Sequence, residues 1–93
     1  MITFEEARTS AAQVLRAQWE GIGTFMVPKE GSEDDRAFLV TCGAREWLID
    51  RDRAYINTDT DLALVDKRSG DVQLITYLDQ PDRIDAMSDV SVR

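Results

Sequence analysis

The chain contains no histidine, which removes many mechanisms at once. No Ser-His-Asp or Cys-His pairing, imidazole metal site or imidazole base can be built. The single cysteine, Cys42, excludes an intramolecular disulfide. It stands inside an apolar run, where it reads as a small core residue of a protein kept in a reducing cytoplasm. No apolar run approaches the roughly 20 residues of a membrane span. Glu5 and Glu6 stand where a secretory signal needs a basic and then an apolar segment, so the expected location is cytoplasmic. Glycine is sparse, and no phosphate-cradling loop is found. Gly21-x-Gly23 lacks the rest of a dinucleotide fingerprint and follows a helical pattern instead of a strand, and Lys67-Arg68-Ser69-Gly70 is a turn. Positive charge is also scarce: eleven Lys and Arg face eighteen carboxylates, giving a net charge of −7 and a pI near 4.4. Nucleic-acid affinity rests on neutralising phosphates with a basic surface, so this chain is expected to bind neither nucleic acid nor an anionic membrane. Its field steers it toward basic partners.

What is present is one α+β domain spanning residues 1–93. A chain of this length buries about 60–65% of its unfolded surface, enough for one core but not for a deep active-site cleft as well. Residues 61–78 organise it: an apolar run, a polar turn ending in Gly70, and a second apolar run, the signal of a β-hairpin. Asp66 can cap that turn, and Gly70 can take the left-handed conformation that closes it. The hairpin reads as the centre of a small antiparallel sheet. Residues 1–20 hold an amphipathic helix, with Thr3 and Glu6 spaced as a capping box. Phe4, Ala7, Ala11, Val14, Leu15 and Trp19 form its apolar stripe, and Arg8 falls on the wetter side. Residues 24–42 read as a second hairpin with a long acidic loop at 29–36. In its second strand Phe38, Val40 and Cys42 face one way and Leu39 and Thr41 the other. Residues 43–60 form an irregular connection in which 44–49 fit a helical turn or an extended piece equally well. Pro81 suits the first turn of a short helix at 81–87, docked through Ile84 and Met87. Residues 88–93 read as a frayed tail. The expected architecture is the N-terminal helix packed on a four-stranded, mostly antiparallel sheet, followed by the short C-terminal helix.

Little of the composition suggests catalysis. Asp50-x-Asp52 and Asp59-x-Asp61 are too short for an EF-hand loop, so at most a weak divalent-cation site could form at the second, and no metal or cofactor is expected. Paired carboxylates can run glycoside chemistry, but eighteen acids in so short a chain pair by chance, and the chain does not read as an enzyme. Tyr55, Tyr77, Trp19 and Trp47 suit core or sheet-face positions. What remains is a charge pattern, with acids gathered at 30–35, 50–61 and 79–89. If the first two loops share one end of the sheet they form a single negative patch. A fold that holds carboxylates apart has already opposed their repulsion, and a basic partner then associates fast. The candidate partner-binding residues are Glu30, Glu33, Asp34, Asp35, Asp50, Asp52, Asp59 and Asp61.

Three segments carry a family resemblance: Met1-Ile2-Thr3-Phe4-Glu5-Glu6-Ala7, Ala44-Arg45-Glu46-Trp47-Leu48, and Leu64-Val65-Asp66-Lys67-Arg68-Ser69-Gly70-Asp71-Val72. In this order, spanning residue 1 to about residue 87, they resemble the YrhB-like, immunity protein 35 family of bacterial polymorphic-toxin immunity proteins. The resemblance implies a protein that binds and neutralises a cognate toxin domain, such as a nuclease or deaminase, whose basic active-site cleft the acidic surface would occupy. The alternative expectation is a general protein-binding or chaperone-like domain without a dedicated toxin, which would need exposed apolar surface.

Overall fold

The structure, a computed structural model, describes residues 1–57 and 61–92. Helix α1 (Phe4–Gln18) begins as its sequence dictates: the Thr3 hydroxyl accepts from the Glu6 amide and the Glu6 carboxylate accepts from the Thr3 amide. It lies across a five-stranded antiparallel sheet whose spatial order is β6-β5-β3-β2-β7. The strands are β2 (Glu30–Glu33), β3 (Ala37–Val40), β5 (Leu62–Asp66), β6 (Val72–Ile75) and β7 (Ser88–Ser91). A two-stranded piece, β1 (Phe25–Met26) with β4 (Gly43–Ala44), carries the β2–β3 hairpin beyond the main sheet. A short helix α2 (Arg45–Leu48) follows, and helix α3 (Pro81–Asp85) links β6 to β7.

The α+β architecture and both helices agree with the sequence reading, but the strands differ in number and place. The sheet has five strands, not four, with a two-stranded extension. β3 is its centre, and the β5–β6 hairpin forms one side with β6 at the edge. Acidic residues 30–33 are strand, not loop, because β3 and β7 pair with β2 from either side and satisfy its backbone whatever its side chains. The expected tail is strand β7, with Val90 and Val92 packed against the core under α1.

Strand pleating sends alternate residues to opposite faces. On one face Phe38, Val40, Ala63 and Val65 meet Phe4, Ala7, Ala11 and Leu15 of α1. On the other, Ala37, Leu39, Leu64 and Ile75 form a smaller cluster covered by Ile84 and Met87, as their spacing suggests. Arg8 is not on the wet side: its guanidinium reaches under the helix and donates to the carbonyls of Val27 (2.9 Å) and Pro28 (3.0 Å). The chain there is leaving β1 for β2, and Arg8 supplies donors to two carbonyls at the break. The β5–β6 turn forms as expected, with Asp66 Oδ1 accepting from the amides of Arg68 and Ser69 and Gly70 at φ 77°.

Phe4 seats over Gly31, where an added Cβ would lie 2.7 Å from the Phe4 ring and 2.7 Å from the Leu39 carbonyl oxygen. Gly31→Ala is expected to destabilise the protein by about 1–3 kcal/mol through overpacking. Ser32→Ala, on the opposite face, should change stability by less than about 0.5 kcal/mol. Urea unfolding of both variants checks this, and equal midpoints would refute the packing assignment.

Candidate functional site

The proposed partner-binding carboxylates divide between the two ends of the sheet. Glu33, Asp34 and Asp35 lie at the β2–β3 turn, beside the β5–β6 turn, since Ala37 pairs with Asp66. Asp50, Asp52 and Asp61 belong to connections at the opposite end, beyond the Val40–Ala63 pair. Glu30 sits at that second end too, since β2 runs antiparallel to β3. The length of β3 separates the two ends, about 10 Å of strand. The expectation of a single negative patch is therefore corrected to two separate groups. Asp59 lies outside the described residues.

The two groups are in different states. At the turn end, Glu33 and Asp34 are already paired within the protein. Glu33 Oε1 is 2.7 Å from Lys67 Nζ, which also lies 4.7 Å over the Phe38 ring. Asp34 Oδ1 accepts from the amides of Arg36 and Ala37, closing the turn, while Oδ2 accepts from Arg83 Nε at 2.6 Å. The Arg83 guanidinium, with those amides, holds the Asp34 carboxyl at a pKa of about 2. Arg83 belongs to α3, so this pair fastens the short helix over the second face of the sheet. Only Asp35 of this group is exposed without a partner among the described residues.

At the other end Asp61 is half-buried and the remaining proposed carboxylates face solvent. Glu30 and Asp50 are exposed. Asp52 accepts from the Ala54 amide and caps a 3-10 turn (Arg53–Tyr55). The backbone reverses just before it, with Arg51 in the left-handed region at φ 57° and its guanidinium 5.3 Å from the Trp47 ring. Glu46 accepts from the Thr24 hydroxyl (2.6 Å) and amide (2.9 Å), bonds that lower its pKa and tie α2 to β1.

The reading of the sequence missed a cleft at this end. It is about 560 Å³ and is walled by the end of α1, the 19–22 connection, Ile56, Asn57, Cys42 and Asp61. Asn57 fixes its mouth: its Oδ1 accepts from the Ile22 amide (3.0 Å) and its Nδ2 donates to the carbonyls of Ile22 (3.3 Å) and Tyr55 (3.1 Å). Trp19, the last residue of the expected stripe, caps α1 and sets its ring edge against Phe25. Half-buried Cys42 lies on the wall, its thiol donating weakly to the Asp61 carbonyl (3.9 Å). Burial, and then the Asp61 charge, push its pKa up. The exposed Ile22 and Ile56 were the available signal, since each is a large aliphatic residue in a polar, turn-forming segment.

Among the described residues no three His, Cys, Asp or Glu side chains converge on a metal position. No described helix is long and apolar enough to cross a membrane. No protein-family model matches this chain, and no curated protein or solved structure matches it significantly.

Asp34 gives a pH test. Its folded-state pKa lies below the ordinary carboxylate value, so its stabilisation is fully present above about pH 4 and is lost as pH falls toward 2. Both partners are more than a quarter exposed, which limits the pair to about 1 kcal/mol. Asp34→Asn should lower stability by about that amount at pH 7, and the deficit should vanish near pH 2. Urea midpoints measured across that range check it, and a deficit independent of pH would refute the assignment.

Proposed function

We propose that this protein is an immunity protein that binds and neutralises a cognate bacterial toxin domain in the cytoplasm. The toxin would be an enzyme acting on nucleic acid, such as a nuclease or deaminase, with a basic active-site cleft. The observation that carries this reading is how little of the negative charge is neutralised internally. The chain has eighteen carboxylates, yet among the described residues only Glu33 and Asp34 form ion pairs. Most of the other described carboxylates stand exposed on a scaffold with a sheet covered on both faces. Fixed anions of this kind compete with phosphate for a cationic cleft and accelerate encounter. The resemblance of the opening helix, the 44–48 segment and the β5–β6 hairpin to the immunity protein 35 family supports the same reading.

Within the proposed contact set the roles differ. Glu30, Asp50 and Asp61, which share one end of the sheet, are the contact residues, whereas Glu33, Asp34 and Asp52 shape the surface through their internal bonds and Asp35 stands at the opposite end. A second reading, a general protein-binding or chaperone-like domain, is favoured by the exposed Ile22, Ile49, Ile56 and Leu78. Binding of a hydrophobic dye to the folded protein with no tight basic partner would select it.

The test is co-expression with a toxin domain encoded beside its gene. The chain should rescue growth and bind one-to-one, with association that slows as salt is raised. Replacing Glu30 and Asp50 together by Lys should weaken binding about tenfold or more, mainly by slowing association, and Asp35→Lys should have a smaller effect. Rescue and affinity unaffected by the double reversal would overturn the acidic mechanism.

A further inference from the structure

The end of the sheet opposite the two tight turns combines three features. Among the described residues its cleft is lined by two carboxylates, Glu20 and Asp61, and by no Lys or Arg. Ile22 and Ile56 stand on its rim at 55% and 42% exposure, with half-buried Trp19 beside them. The reciprocal bonds between Asn57 and Ile22 hold the rim in place without a ligand. A cation entering the turn end would have to compete with Lys67 and Arg83 for Glu33 and Asp34. Among the described residues Glu20 and Asp61 have no such partner for an entering cation to displace.

We propose that this cleft is the anchor point for the partner protein. It receives one Lys or Arg side chain between Glu20 and Asp61, while an apolar residue beside that cation lies across Ile22 and Ile56. The chemistry fits a long basic side chain. Its aliphatic stem can lie along the apolar rim, its charged head can meet the carboxylates, and the Trp19 ring can add a cation–π contact. Burying apolar rims around a charged contact is how interfaces obtain both affinity and orientation. The choice of a basic protein partner rests on the proposed function, but the test does not require a toxin.

The probes are three amidated octapeptides, alternating Lys–Leu, Lys–Ser and Glu–Leu. Amide chemical-shift mapping with the Lys–Leu peptide should move the Trp19 indole, Ile22, Ile56 and Asn57 signals. Alkylation of Cys42 on the cleft wall by iodoacetamide should slow at saturating peptide. The Lys–Ser peptide should bind more weakly, and the Glu–Leu peptide should leave these signals unmoved. Glu20→Gln with Asp61→Asn should weaken the Lys–Leu peptide about tenfold. Thermal melting confirms that this doubly substituted variant folds, and Glu20→Gln alone should show part of the loss. Shifts centred on residues 34–36 and 66–71, equal binding of the Glu–Leu peptide, or no binding at millimolar concentration would each overturn the assignment. Toxin neutralisation that survives E20Q/D61N unchanged would remove the cleft while leaving the immunity reading intact.

Discussion

The structure depends on burying one short strand from both sides. Ala37, Phe38, Leu39 and Val40 of β3 are each at most 6% exposed. Phe38 and Val40 require a cover on one face, and Ala37 and Leu39 require one on the other. A small domain rarely supplies two complete layers. Here α1 provides the first with four buried side chains, and the second is narrower: Ile84, carried by a helix of five residues, and Met87 just beyond its end. So short a helix has no independent stability. It is held by its place between β6 and β7 and by the Asp34–Arg83 pair. Strand β7 therefore does more than widen the sheet, because its pairing with β2 anchors the far end of the strap that covers the second face.

The same constraint decides how the acidic residues divide. Those near the strap and the turns are drawn into structure: Asp34 closes the β2–β3 turn and grips Arg83, Asp66 caps the β5–β6 turn, and Glu33 holds Lys67 over Phe38. Each such bond takes up part of the capacity a carboxylate could offer a partner. Sequence counts therefore overstate the charge available at 33–35, and free negative charge must be sought where backbone geometry does not consume it.

The parts legible in the sequence are those where one local signal sufficed. The capping box fixed the start of α1, and Asp66 with Gly70 fixed the β5–β6 turn. Ile84 and Met87 docked as their spacing implied. β2 was not legible because Glu-Gly-Ser-Glu has the composition of a turn. It is a strand because β3 and β7 flank it and because Gly31 leaves room for Phe4, facts that lie far away in sequence. β7 did carry a signal, the alternation of Val90 and Val92, but it was too short to separate from a terminal tail. Among the candidate site residues, positions were readable and states were not. Nothing local indicates that Asp34 meets a residue 49 positions later, or that Asn57 clasps Ile22.

The two ends of the molecule consequently have opposite characters. At one, two tight turns satisfy their own amides with their own carboxylates and close on each other through the Lys67 amide and the Arg36 carbonyl. At the other, β1, β4, α2 and the 3-10 turn are each two to four residues long, too short to shield apolar side chains, and Ile22, Ile49 and Ile56 remain exposed. Loops fixed by side-chain bonds on a rigid sheet are where binding surfaces form. Glu46 to Thr24 and Asn57 to Ile22 are bonds of that kind, each joining segments more than twenty residues apart. They stabilise an arrangement that leaves aliphatic surface in water, an outcome that folding alone does not favour. The reading in which a partner covers that surface explains why both the fastening and the exposure occur at the same end.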